Sequence, residues 1–226
     1  MMEGIAAIVI IAAVFIAIGL GVAFVVIARR TAQQAVTAGD VLRTYLYLAI
    51  LTSVAFVAGG GAQAIKGGIG MIEPEFSFRP ETVSEVVGAV SEAEGDEFYE
   101  AVPQEEQFVV EPDKPISTLL QGILSALIAG ALWLVHVLVL RRIAGPDEAG
   151  SLLRRGFVGL GLIVFGVTVI ASFPAAITQI VDYAYASDTT TLWGVSRPGG
   201  VMGVAIAFSP VWLWFLREGL RIAKRV

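Results

Sequence analysis

Five stretches of the chain are apolar on all sides, with charges only at their margins, at about 4–28, 42–65, 117–140, 156–180 and 199–217. Each is long enough to cross a hydrocarbon core of about 30 Å at about 1.5 Å per residue. The pattern predicts an all-α transmembrane fold, a five-helix bundle. The first stretch has no basic n-region and is followed by Arg29-Arg30, so it is read as a retained helix and not as a cleaved signal peptide. The polar segment 66–116 breaks the pattern. Inside it, Thr82-x-x-Glu85 has the form of a capping box, and Val83, Val86, Val87 and Val90 follow at helical spacing. A short amphipathic helix is therefore expected at about 82–93, within an otherwise irregular acidic outer loop.

Composition agrees with the pattern. Of 226 residues, 56% are hydrophobic and 15% charged, against about 45–50% and about 25% in soluble domains. The absence of cysteine excludes disulfides, thiolate metal sites and cysteine nucleophiles. No basic stripe with interleaved aromatics suggests nucleic acid.

Charge predicts an orientation. The net charge of −5 conceals a separation, because the 66–116 segment holds 13 of the 20 acids. Arg29, Arg30, Arg43, Arg141, Arg142, Arg154, Arg155, Arg217, Arg221, Lys224 and Arg225 all fall on one side of a five-span topology. Only Lys66, Arg79, Lys114 and Arg197 fall on the other. The positive-inside rule then places the N-terminus outside and the C-terminus in the cytoplasm of a cell membrane. Tyr45, Tyr47, Trp133, Trp212 and Trp214 are expected as interfacial anchors of an aromatic belt. The acidic run SEAEGDEFYE (91–100) lacks the alternating Asp/Asn ligands and the glycine of a calcium loop, and is read as solvated.

The chain also resembles itself. LRTYLYLAILTSVAFVAG from Leu42 matches LRRGFVGLGLIVFGVTVI from Leu153, and LWLVHVLVLRR from Leu132 matches VWLWFLREGLR from Val211. The expected organisation is an N-terminal helix at 1–30 and two parallel helical-hairpin repeats. The first, 40–142, includes the extracytoplasmic loop 66–116. The second, 150–226, ends in a basic cytoplasmic tail. Two copies in one orientation are parallel repeats, related by rotation about an axis near the membrane normal.

Arg43, Tyr45, Leu46, Tyr47 and Leu48 open one helix, and Trp133, His136, Arg141 and Arg142 close the next. Pro210, Val211 and Trp212 close the last. With these residues the chain resembles an uncharacterised prokaryotic multi-pass membrane domain, whose helices open with Arg-x-Tyr-Leu-Tyr-Leu and close with a Pro-Val-Trp-Trp-x-His-Trp type motif. Ala131, Val137 and Phe215 depart from that pattern. The resemblance implies the architecture and carries no activity.

Candidate chemistry is sparse. His136, the only histidine, lies near the cytoplasmic end of its span. An interfacial or packing role is the simpler reading, and an axial ligand to a pigment the sharper one. No cofactor and no metal site are expected. No nucleophile elbow, zinc-protease motif, P-loop or dinucleotide fingerprint occurs, so no catalytic residue is assigned and an enzyme is not expected. Small residues at four-residue spacing mark helix-packing faces: Ala13, Ala17 and Gly21; Gly122, Ala126 and Gly130; Gly199 and Gly203. Pro174 and Pro210 interrupt the last two spans.

The expected function is an accessory or scaffold subunit in the lipid bilayer, packed against a membrane-protein partner or a second copy. The rival is a small transporter or channel built from the repeats. A polar cavity lined by Gln63, Gln121, Thr168 and Gln179 would favour the rival, and a dry bundle the scaffold.

Overall fold

The computed structural model describes residues 37–78, 81–83, 107–145, 151–185 and 197–224. The expected first helix, with its Ala13, Ala17 and Gly21 face, lies outside the described residues, as do most of the acidic loop and the run 91–100.

The fold is all-α. Four long helices are apolar enough to cross a membrane: α1 (Ala38–Ile72), α3 (Lys114–Ile143), α4 (Leu152–Tyr185) and α5 (Pro198–Ala223). A four-residue helix, α2 (Pro74–Ser77), follows α1 directly. Strands β1 (Glu81–Val83) and β2 (Gln107–Val109) form a short antiparallel ribbon, with Thr82 opposite Phe108.

The ribbon corrects one expectation. Thr82 and Val83 are extended, so the helix expected at 82–93 does not start there. Residues 84–93 are outside the described part. Thr82 and Val83 are β-branched, which favours an extended backbone over the first turn of a helix.

All four long helices exceed the apolar stretches that announce them. The longest, α1, has 35 residues, or about 52 Å, so its ends project beyond a hydrocarbon core of about 30 Å. It begins with a capping box. The Thr37 side chain accepts from the Asp40 amide at 3.3 Å, and Asp40 accepts from the Thr37 amide at 3.1 Å. Pro115 and Pro198 open α3 and α5, where a missing N–H costs nothing. Pro174 and Pro210 lie inside continuous helices, so neither proline breaks its span.

The helices stand in the order α3, α1, α5, α4. α1 packs extensively on α3 and α5, and α5 on α4, while α3 has no comparable contact with α4 or α5. Antiparallel neighbours place the starts of α1 and α4 at one end, here called the arginine end. Their far ends meet α2 and the start of α5 at the ribbon end.

The most apolar of the four helices is the least buried. The most apolar window, in α3 at mean hydropathy 2.5, is 6% buried, whereas that of α1, at 1.7, is 39% buried. In water this arrangement would expose the greasiest helix. In lipid it is the expected one, because tails are as apolar as leucine and buried positions are chosen for packing. The molecule is a membrane-embedded protein.

Candidate functional site

Three clusters carry the polar and close-packed chemistry. The first is the α1–α3 seam. A Cβ on Gly122 would lie 2.4 Å from the Ala64 nitrogen and 2.6 Å from the Gly60 carbonyl, and one on Gly60 would lie 2.7 Å from the Ala126 nitrogen. Gly67 meets Leu119 and Pro115 in the same way. The expected packing residues Gly122 and Ala126 therefore sit in a backbone-to-backbone contact. Gly130 does not, since a Cβ there meets nothing within 4 Å. One turn beyond Ala126, α3 has turned this edge of its small-residue row away from α1. Gly203 packs on the Ala62 carbonyl of α1, and Gly199 on Ser77 of α2.

The second cluster is aromatic. Phe165 and Phe215 are fully buried among Leu51, Val158, Phe157, Phe208 and Trp212. Their rings stack with centroids 5.3 Å apart, and Phe157 reaches Phe215 at 5.4 Å. This core corrects part of the aromatic belt. Tyr47 is 8% exposed and packs on Phe157 at 5.0 Å. It is a core residue because it lies on the α1 face turned to α4 and α5. Half-buried Trp212 turns its indole nitrogen towards Gly166. Tyr45, Trp133 and Trp214 stay exposed, as anchors would be.

Ion pairs and caps tie the arginine end. Arg154 pairs with Glu218, which also accepts from Arg221 at 3.4 Å. Arg43 donates to the Ile143 carbonyl at 3.3 Å, at the end of α3. His136 is half-buried here. Its Nδ1 lies 2.7 Å from the Leu132 carbonyl, so Nδ1–H donates to it, and its ring is 6.0 Å from that of Tyr45. The imidazole is thus engaged with its own helix and with α1.

The third cluster is at the ribbon end, and sequence reading missed it. Phe76 meets Tyr183 edge-on at 5.1 Å, and the Arg197 guanidinium lies 6.0 Å from the Tyr183 ring. The Glu73 and Glu75 carboxylates and the Arg197 guanidinium act electrostatically on Tyr183. Lys66 lies over the Phe78 ring at 4.8 Å. Ser77 Oγ, Gln179 Oε1, and Nε and Nη1 of Arg197 are buried with no hydrogen-bond partner among the described residues. No local signal announces these groups, since they converge from α2, α4 and α5. The Thr37-x-x-Asp40 cap of α1 was missed as well, although its signal is local.

The four residues named for a polar path do not gather. Gln63 and Gln121 are exposed. Thr168 donates to the Val164 carbonyl of its own helix at 2.9 Å. Thr44, Thr118 and Ser209 likewise bond carbonyls four residues back, which satisfies hydroxyls inside a membrane without a partner helix.

No family model, curated protein or solved structure matches this chain.

Proposed function

We propose that the protein is a non-catalytic membrane subunit, an accessory or scaffold that packs against a membrane partner. The observation that carries this reading is α3. Among the described helices it packs extensively only on α1, and it turns Leu120, Leu124, Leu127 and Ile128 outward, at 56–66% exposure. A helix held by one seam leaves most of its circumference for lipid or for another transmembrane helix. The scattering of Gln63, Gln121, Thr168 and Gln179 supports the same reading against a solute path. The resemblance to the uncharacterised prokaryotic membrane domain belongs to this proposal.

The test is purification from native membranes in mild detergent, with mass spectrometry. A membrane protein in fixed stoichiometry is expected, and Leu124→Trp with Leu127→Trp should release it while leaving the melting temperature of the chain unchanged. A lone chain that passes solutes in liposomes would sink the reading.

One observation favours the rival class. The repeat relates Tyr45 to Gly156 and His136 to Phe215. The Tyr45–His136 contact in the first hairpin then has its counterpart, one residue on, in Phe157–Phe215 of the second. Arg43 and Arg154 also each reach from the start of one helix to the end of its hairpin partner. These matches support a duplicated hairpin. The α1–α5 contact has no counterpart of comparable extent between α3 and α4, so the copies stand in line and do not enclose a central path.

The orientation we infer is N-terminus outside and the arginine end in the cytoplasm of a cell membrane, from the division of basic residues. Single cysteines at positions 91 and 149 of this cysteine-free chain test it. An impermeant thiol reagent on intact cells should label Ser91→Cys and spare Ala149→Cys. The reverse labelling would invert the topology.

A further inference from the structure

At the ribbon end, hydrogen-bond donors meet at the start of α5 with no acceptor among the described residues to receive them. Arg197 occupies the cap position, where a Ser, Thr, Asp or Asn oxygen would ordinarily accept from the first turn. Arginine has no acceptor, and no side chain caps this helix. Pro198 has no N–H, so Gly199 and Gly200 supply the first-turn amides. Ser77 is 2% exposed, and its unpartnered Oγ lies only 2.2 Å from where a Cβ on Gly199 would stand. The hydroxyl is therefore seated against that first turn. Any side chain at 199 would fill the space it occupies. Nε and Nη1 of Arg197, the cap residue of the same helix, are buried with no partner among the described residues. Lys66 adds charge from α1, with its Cδ 4.0 Å from the Cβ position of Gly200.

Among the described residues, the acidic groups of this end do not supply the missing acceptor. Glu73 and Glu75 act electrostatically on Tyr183. Neither satisfies Nε or Nη1 of Arg197. Two guanidinium nitrogens buried with no acceptor among the described residues are costly, and each such group calls for an explanation, an ion among them.

We propose that the start of α5 is a binding site for an oxyanion of the phosphate class, held by Arg197, Ser77 and the Gly199 and Gly200 amides. Helix amides favour negative charge at this position through their dipoles. Arginine, a hydroxyl and paired amides approaching from different elements suit a tetrahedral group with several acceptor oxygens. The site lies at the end of membrane-spanning helices, which is the depth of phospholipid headgroups. The phosphate therefore has two sources, a lipid headgroup or the free ion.

The experiment uses the full chain purified in a neutral detergent and phosphate-free buffer. Its thermal midpoint is followed on titration with inorganic phosphate, and separately with phosphatidylglycerol against phosphatidylcholine. A rise with inorganic phosphate assigns the free ion, and a rise with phosphatidylglycerol alone assigns the headgroup. Either result supports the site. Arg197→Gln should raise the half-saturating concentration about tenfold or more, as loss of a charge-assisted hydrogen bond does. Without any probe its midpoint should match or exceed that of the wild type, because the unpaired charge is gone. Ser77→Ala provides a second variant with intact charge and should also weaken the response. A wild type that responds to none of the probes overturns the proposal, as do variants that respond just as the wild type does.

Discussion

Gly122→Leu should separate α3 from α1 and lower stability more than any other single change on α3. A Cβ at 122 falls 2.4 Å from the Ala64 nitrogen and 2.6 Å from the Gly60 carbonyl. Both are backbone atoms, so no rotamer change relieves the clash. Overpacked sites usually cost about 1–3 kcal/mol, and with rigid atoms on both sides about 3 kcal/mol or more is expected. For a chain of this length that corresponds to a melting point lower by roughly 10 °C. Among the described helices α3 packs extensively only on α1, and lipid supplies no hydrophobic force to push it back. Gly130→Leu is the control, because it belongs to the same small-residue row yet meets nothing within 4 Å. Its melting temperature in detergent should stay at the wild-type value. Equal losses at 122 and 130 would mean that the seam is not where these contacts put it.

The contrast between these two glycines marks what the sequence made legible. The spacing of Gly122, Ala126 and Gly130 identified a helix with a close-packing edge. It did not identify which glycine meets a backbone, because that depends on where α3 crosses α1, and crossing points are a tertiary property. Apolar length likewise located all four described long helices. It placed their ends several residues too far inward, because charged and polar residues continue a helix into the headgroup region and beyond. Thr37-x-x-Asp40 carried the true start of α1. The helix expected from Thr82 does not begin there, since Thr82 pairs with Phe108, a partner distant in sequence that leaves no local trace. Tyr47 was read as an anchor from its position along α1, whereas the azimuth of its side chain decides burial. The ribbon-end donors were illegible for the same reason as the ribbon. Ser77, Arg197 and Lys66 are ordinary in their own segments and acquire meaning only where three elements meet.

The aromatic core gives the second large effect, and it is a coupling and not a single loss. A Cβ at Gly161 would fall between 2.2 and 2.5 Å from three atoms of the Phe215 ring. That ring is fully buried, stacked on Phe165 at 5.3 Å and held on its other sides by Phe157 and Trp214. It has no free volume to retreat into, so Gly161→Ala should cost about 2–3 kcal/mol, towards the upper end for an added methyl group. Phe215→Leu should itself destabilise, through lost contacts more than through transfer to water, since the surroundings are lipid and protein. The two changes together should be less harmful than their separate costs suggest, because leucine vacates the space that the alanine methyl needs. A double-mutant cycle on thermal or denaturant unfolding in detergent should return a coupling of about 1–3 kcal/mol, the range for residues in direct contact. The sign is decisive, since Gly161→Ala should be nearly harmless in the Phe215→Leu background and damaging beside the native phenylalanine. If Gly161→Ala costs the same in both backgrounds, then Gly161 is not the floor beneath Phe215. The close approach of α4 to α5 would then have to be held by Arg154, Glu218 and the contact of Gly219 with Leu162 instead.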